Sequence, residues 1–365
     1  MTFRQRLLAV FAGQKPDAMP WFADISYWFN AHKQIGDLPP GYDSEEGFIQ
    51  FHADHHVGYY LYGGTPFAVM TDGVEVEHRA VDGDTHITWR TPVGEMTGVQ
   101  HYLPETFSGA WTVWPCRTPE DLRVVRYIAD SRRFEARPGE WERVADLAGE
   151  RGLPMPLPVR SPVSAMLAEW SGPLHLSYLL ADSKDEVEAT LAALERSEDP
   201  LLDILCECGA PLIEWGDNLT GEIVTGLFER YQADMYVHWI ERLHAAGKQV
   251  GVHIDGTLHG ITPAVVKTGM DFIESVTPEP CGDVAIEDLR ELAGDKVILW
   301  GGIPGAMFAP PFTKTEIREQ VSRIVDAHWE HGRFVLASAD QVPPNGDIEL
   351  VDYVGELVEE LTLGV

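Results

Sequence analysis

The sequence predicts a (β/α)8 barrel with an insertion containing antiparallel β-hairpins in its N-terminal half. Three observations carry this. From about residue 155 onward, short apolar strands alternate with amphipathic helices at short spacing, the pattern of parallel βαβ units. Six such strands lie in that half, and PWFADIS near residue 20 supplies an earlier one, a number that suits a closed barrel. No GxGxxG follows a strand at a helix start, which disfavours the alternative, a doubly wound open sheet that binds dinucleotides.

The opening MTFRQRLLAVFAG reads as a first helix; its apolar run is too short for a signal peptide. From about 30 to 150 the chain is irregular and rich in aromatics, Pro and Gly. Within it, AVMTDGVEVEHRAVDGDTHITWRTPVGEM alternates apolar and polar residues around Asp-Gly and Pro-Val-Gly turns, which reads as antiparallel hairpin. The regular half then runs in order. MPLPVRSPV is a strand and DEVEATLAALERSEDPLLDILCECG a helix stopped by Gly. APLIEWGDN is a strand, followed by one long helix over TGLFERYQADMYVHWIERLHAAG. The strands KQVGVHIDG, DFIESVTP, KVILWGGIP and RFVLASADQ alternate with the helices TPAVVKTG, AIEDLRELAGD, TKTEIREQVSRIVDAHWEHG and IELVDYVGELVEEL. The expectation is one domain over 1–365, with the insertion at about 30–150.

Asp and Glu number 58 against 27 Lys and Arg, a formal net charge of −31. Such a surface repels phosphate backbones and argues against nucleic acid. It either keeps the protein soluble or favours a partner with a basic face. No apolar stretch approaches membrane-span length, so a cytoplasmic protein without a membrane partner is expected. Cys116, Cys206, Cys208 and Cys281 then read as free thiols.

In this fold the chemistry sits at the C-terminal ends of the strands. The first strand delivers Asp24 there. The strand before the long helix delivers Glu214 and Asp217. The next delivers His253 and Asp255, which share a face because they are two residues apart. Glu274 and, just beyond it, Cys281 follow; then Trp300 with a Gly-Gly pair; then Ser338 and Asp340. One His, one Cys and several carboxylates at one rim make a donor set that Zn²⁺ accepts. Asp24, Glu214 and Asp255 are the catalytic candidates, and His253, Asp217, Cys281 and Asp340 the metal candidates. Each has a plainer reading: a core histidine bonded to a carbonyl, a small buried thiol, or carboxylates that cap the next helix.

Trp21, Phe22, Tyr27, Trp28 and Phe29 follow the first strand and would either line a pocket or plug the barrel mouth. Trp21, Tyr27 and Trp28, with Trp215 and Trp300, are the substrate-binding candidates. Cys206 and Cys208 are one residue apart in a helical pattern and cannot point the same way. The run holding His52, His55 and His56 looks metal-like in composition, but its aromatic surroundings favour packing.

A family resemblance emerges from these segments. VGVHIDG, DFIESVTPEPCGDVAIEDLRELAGDKVILWGGIP and RFVLASADQVPPNGDIELVDYV resemble the C-terminal half of the uroporphyrinogen decarboxylase superfamily. WRTPVGEMTG and WPCRTPEDLRVVRYI resemble its methyltransferase members, so the likeness runs over roughly residues 85 to 355. The Arg-rich RQAGR-type segment that grips porphyrin carboxylates is replaced by PWFADISYW, which argues against porphyrin decarboxylation. Members that methylate coenzyme M hold zinc with His-x-Cys and a later Cys. Here those positions are His253-Ile254-Asp255 and Asp340. IEWGDN and IESVTPEPCGD look like the O-demethylase type, in which carboxylates and a His hold zinc.

The resemblance thus implies a corrinoid-dependent methyltransferase that takes a methyl group from a small O- or N-methyl donor, such as an aryl methyl ether. It implies zinc as metal and a corrinoid (cobalamin) supplied by a partner protein. Cobalamin domains carry Asp-x-His-x-x-Gly, whereas DAHWEHG at 326–332 has one residue too many. A homodimer is compatible with this reading. Two rivals remain: a metal-free decarboxylase or lyase, for which Arg160 is the obvious cation, and a non-catalytic binding paralogue.

Overall fold

The computed structural model describes residues 1–60 and 63–363. Eleven named strands are found among them: β1 (Phe67–Thr71), β2 (Glu75–Val81), β3 (Asp84–Thr91), β4 (Gly94–Leu103), β5 (Ser108–Val113), β6 (Arg132–Ala136), β7 (Leu212–Leu219), β8 (Gln249–Ile254), β9 (Phe272–Val276), β10 (Ile298–Pro304) and β11 (Phe334–Ala339). The last five form one parallel sheet in the order β11-β10-β9-β8-β7. The runs of β9, β10 and β11 are buried throughout, as expected of strands covered on both faces.

Short backbone links close that sheet into a barrel. Trp21 and Asp24 bridge in parallel to Leu336 and Gln341, beside β11. The Gly58 N–H donates to the Trp21 carbonyl at 2.9 Å, and Tyr59 bridges in parallel to Gly152. The segment 154–160 then runs to β7, where the Ser161 N–H donates to the Asp217 carboxylate at 2.9 Å. The eight staves are therefore 21–24, 57–60, 152–160 and β7 to β11. Helices between them run antiparallel to the strands and form the outer layer, including Lys184–Glu207, Lys314–His328 and Glu349–Leu363.

Large side chains fill the interior. Trp300 packs against Phe22, Tyr60 and Phe272 at centroid separations of 5.7, 4.8 and 6.3 Å. Phe11, from the helix Phe3–Phe11, meets Phe272 at 5.2 Å and caps the packing from below. Gly251 keeps that space open: a Cβ there would lie 2.2 Å from the Phe272 ring. The lower barrel is thus solid, and only the C-terminal end is left for a ligand.

The hairpins form a four-stranded antiparallel sheet, β2-β3-β4-β5, and β1 pairs with β6. A second core of Met96, Val125, Ile128, Trp170 and Leu191 joins this sheet to the helices Pro119–Asp130 and Lys184–Glu207.

Three features differ from the sequence expectation. The span 30–150 is not all insertion, because the stave 57–60 lies within it; that stave is too short and too glycine-flanked to show a period. The strand at 154–160 has no continuous ladder, since Pro154, Pro156 and Pro158 lack N–H donors. The long helix is two, Gly221–Tyr231 and Ala233–Ala245, broken at Gln232, whose buried amide donates to Ser161 and Ser164 at 2.6 and 3.3 Å.

Candidate active site

The C-terminal ends of β7, β8, β9 and β11 converge on one imidazole. His253, on β8, presents Nδ1 to Glu274 Oε2 at 2.5 Å, with Glu214 Oε1 at 4.0 Å. Its Nε2 faces the other way, 3.6 Å from Asp255 Oδ2 and 3.7 Å from Asp340 Oδ1. The two edges of the ring thus belong to two donor groups, Glu214–His253–Glu274 and His253–Asp255–Asp340.

The surroundings fix these groups. Tyr60 donates to Glu274 Oε1 at 3.0 Å. Asn218 donates to Asp255 Oδ2 at 3.1 Å and accepts from Arg160 Nη1 at 2.8 Å. Asp24, 3% exposed, accepts from the Ser26 N–H at 2.7 Å and from Gln341 at 2.8 Å. Glu274 therefore orients the ring through Nδ1 and leaves Nε2 as the nitrogen that a metal, in displacing its proton, would take. Nε2 is buried without a hydrogen-bond partner among the described residues, as is Glu214 Oε2.

Electrostatics give the cluster its character. Burial by itself disfavours the charged imidazole, but Glu274, Asp255 and Asp340 outweigh it and hold His253 well above the usual histidine range. Burial, then the like charge of Glu274, raises Glu214 well above the carboxylate range. Burial also lifts Asp340 to about 7, and raises Asp24. For Asp255, burial works upward but is overcome by the nearby His253 and by the Asn218 amide, so its carboxyl is lowered. So many carboxylates around one ring create the field a divalent cation requires.

A cavity of about 280 Å³ opens on the cluster, lined by Leu157, Arg160, Glu214, Asn218, His253 and Asp340 among others. A larger hollow, about 460 Å³, lies against Phe29 and Phe48, but the ligand-bearing groups gather at the smaller one.

The structure gathers His253, Asp255, Asp340 and Glu214 and sets Asp24 beside them. Asp217, one strand face away, is buried and accepts from Ser161 and Tyr236 instead. Cys281 is exposed and joins neither donor group. The tryptophans and Tyr27 do not line the cavity. Trp215 stacks on Trp239 at 5.2 Å on the outer face of β7, and Trp300 fills the barrel. Trp21 stacks on Phe308, Trp28 stacks on His32 and donates to the Gly346 carbonyl, and Tyr27 donates to the Thr106 carbonyl. His52 donates from Nδ1 to the Phe48 carbonyl and packs on Phe48 and Tyr59, away from any donor group. Glu274 stands at a strand end in the sequence, but its role depends on the cross-strand register His253–Glu274.

A model of the family described as uroporphyrinogen decarboxylase (URO-D) matches residues 161–361, more than half the chain. The chain belongs to the uroporphyrinogen decarboxylase family. Among solved structures, this URO-D family member is similar to a methyltransferase from Methanosarcina mazei, with 13% identity, 99% of each chain covered and a TM-score of 0.62. The two share a fold across their whole length. Two structures of D-psicose 3-epimerase also match. One, with D-fructose, has 10% identity, covers 67% of this chain and 88% of that one, and has a TM-score of 0.35. The other, with D-tagatose, from Clostridium cellulolyticum H10, has 9% identity, 62% and 83% coverage, and a TM-score of 0.38. No curated protein matches the sequence.

Proposed function

We propose that this URO-D family member is a methyltransferase that moves a methyl group from a small O- or N-methyl donor to a corrinoid carried by a partner protein, with metal-assisted activation of the leaving group. One observation carries it: His253 is clamped at Nδ1 by Glu274 and turns a buried, unpartnered Nε2 toward Asp255 and Asp340. An imidazole nitrogen left without a partner among carboxylates fits a divalent ion such as zinc. His253, Asp255 and Asp340 would hold it. This replaces the wider set of sequence candidates, since Asp217 and Cys281 lie outside the group.

A metal held there stabilises negative charge on a leaving oxygen or nitrogen, and a reduced corrinoid supplies the nucleophile. The chain's own residues do the rest. Glu274 and Tyr60 keep the imidazole in one tautomer and orientation. Glu214 lines the cavity, and burial and the neighbouring Glu274 favour its protonated form, the form that gives a proton to the leaving atom as the methyl departs. The filled lower barrel excludes water from below, and the open end admits donor and acceptor in turn.

The test is methyl transfer to cob(I)alamin, followed by its absorbance, across a panel of O- and N-methyl donors. Transfer lost in Asp340→Ala supports the proposal. No transfer from any donor, to free cob(I)alamin or to added corrinoid proteins, would sink it. Arg160 in the cavity favours a second reading, a metal-free decarboxylase of a small carboxylated ligand. That reading requires release of carbon dioxide by metal-stripped protein.

A further inference from the structure

Arg160 is the only Lys or Arg among the described residues lining the cavity. It is held by an elaborate support. Its neighbour Ser161 is pinned through both its N–H and its hydroxyl to the Asp217 carboxylate, which Tyr236 also bonds. Asp217, Ser161 and Tyr236 are all buried. The Nη1 atom donates to the Gly216 carbonyl and to Asn218 Oδ1, which fixes the plane of the guanidinium.

What that anchoring leaves over is informative. Nη2 has no hydrogen-bond acceptor among the described residues. Glu169 lies 3.8 Å from Nε, and its side chain is 45% exposed, so water screens that pairing. Arg160 itself is 29% exposed, accessible from the cavity yet not free to swing away. A protein of net charge −31 that draws a ligand into a carboxylate-lined cavity has little use for a fixed cation there, unless the ligand brings an anion. A guanidinium held through Nη1, with Nη2 left over, can receive a carboxylate oxygen.

We infer that the donor carries an anionic group, a carboxylate, which pairs with Nη2 of Arg160 while its methyl-bearing end lies against His253, Glu214 and Asp340. The inference rests on the proposed methyltransferase reading of this cavity and names its substrate class. The cavity, about 280 Å³, suits a small acid rather than a porphyrin. Arg160 also orients the donor, since two anchors at opposite ends leave one pose.

The experiment uses matched pairs of methyl donors with and without the charge: methoxyacetate and methoxyacetamide, 4-methoxybenzoate and 4-methoxybenzamide, N-methylglycine and its amide. Binding to the purified protein is measured by calorimetry. In at least one pair the acid is expected to bind on the order of tenfold more tightly than the amide. Arg160→Met should abolish that preference and Arg160→Lys should retain part of it. Amides binding as well as acids, no acid binding at all, or a preference that survives in Arg160→Met would each overturn the inference. The wild-type comparison alone can do so, whatever the fate of the variants. Methyl transfer is followed separately: Arg160-dependent acid binding without transfer removes the methyltransferase reading and leaves the anion site, whereas transfer from uncharged donors only does the reverse.

Discussion

At the residue scale, Glu274 is what holds the His253 imidazole in place. Its carboxylate lies 2.5 Å from His253 Nδ1 and receives the Tyr60 hydroxyl on its other oxygen. Glu274→Gln keeps the shape and removes the charge that fixes the ring. Outer partners of this kind support metal affinity by roughly 10–100-fold. Glu274→Gln should therefore weaken zinc binding by that factor in a chelator competition, and Tyr60→Phe by less. Unchanged affinity in Glu274→Gln would mean that the imidazole needs no support. The sequence showed His253, Asp255 and Asp340 because each closes a strand and the strand ends share a rim. Glu274 stands in the middle of β9, and only the β8–β9 register reveals that it faces His253. The tryptophans misled for a physical reason. The strands run on past Trp215 and Trp300, to Leu219 and Pro304, so both indoles sit within the sheet and bury their apolar area in the core rather than lining a wet cavity.

At the scale of elements, the joint between 154–160 and β7 carries both stability and function. Three prolines deprive the stave of ladder bonds, and Asp217 replaces them with side-chain bonds. Removing that carboxylate leaves the Ser161 N–H and the Tyr236 hydroxyl buried and unpaired. Asp217→Ala should then lower unfolding free energy by on the order of 3 kcal/mol, read from the denaturant midpoint. Asp217→Asn, which keeps one acceptor, should lose less. Equal stability of Asp217→Ala and wild type would contradict this role. The alternation of strand and helix was legible from apolar periodicity over most of the regular half. The stave 57–60 and the break at Gln232 were not. The first is too short to show a period, and the second is set by hydrogen bonds to Ser161 and Ser164, far away in sequence.

At the scale of the whole molecule, the barrel and the helices packed on it bury histidines that report on folding. Burial depresses His52 and His328 to about 4 each. The unfolded chain holds them near the ordinary value, about 6.5, so between these values it binds more protons than the fold. Their contribution is complete above about pH 6.5 and is lost as pH falls toward about 4. The loss should reach about 2 kcal/mol per histidine between about pH 7 and pH 5. Buried carboxylates such as Glu198, raised well above the usual range by burial, act in the opposite sense. Comparing wild type with the double variant His52→Gln, His328→Gln cancels that opposing part. The variant should show the shallower fall in denaturant midpoint on acidification, and equal slopes would contradict the account.

The methyl transfer proposed for this site requires that the rim of the barrel hold a metal through His253. Metal content of the purified protein, measured by plasma mass spectrometry beside His253→Ala, tests it most directly. The wild type is expected to hold about one zinc per chain, and the variant none at comparable thermal stability. Metal-free wild type, even after zinc is offered, or an undiminished content in His253→Ala, would contradict it.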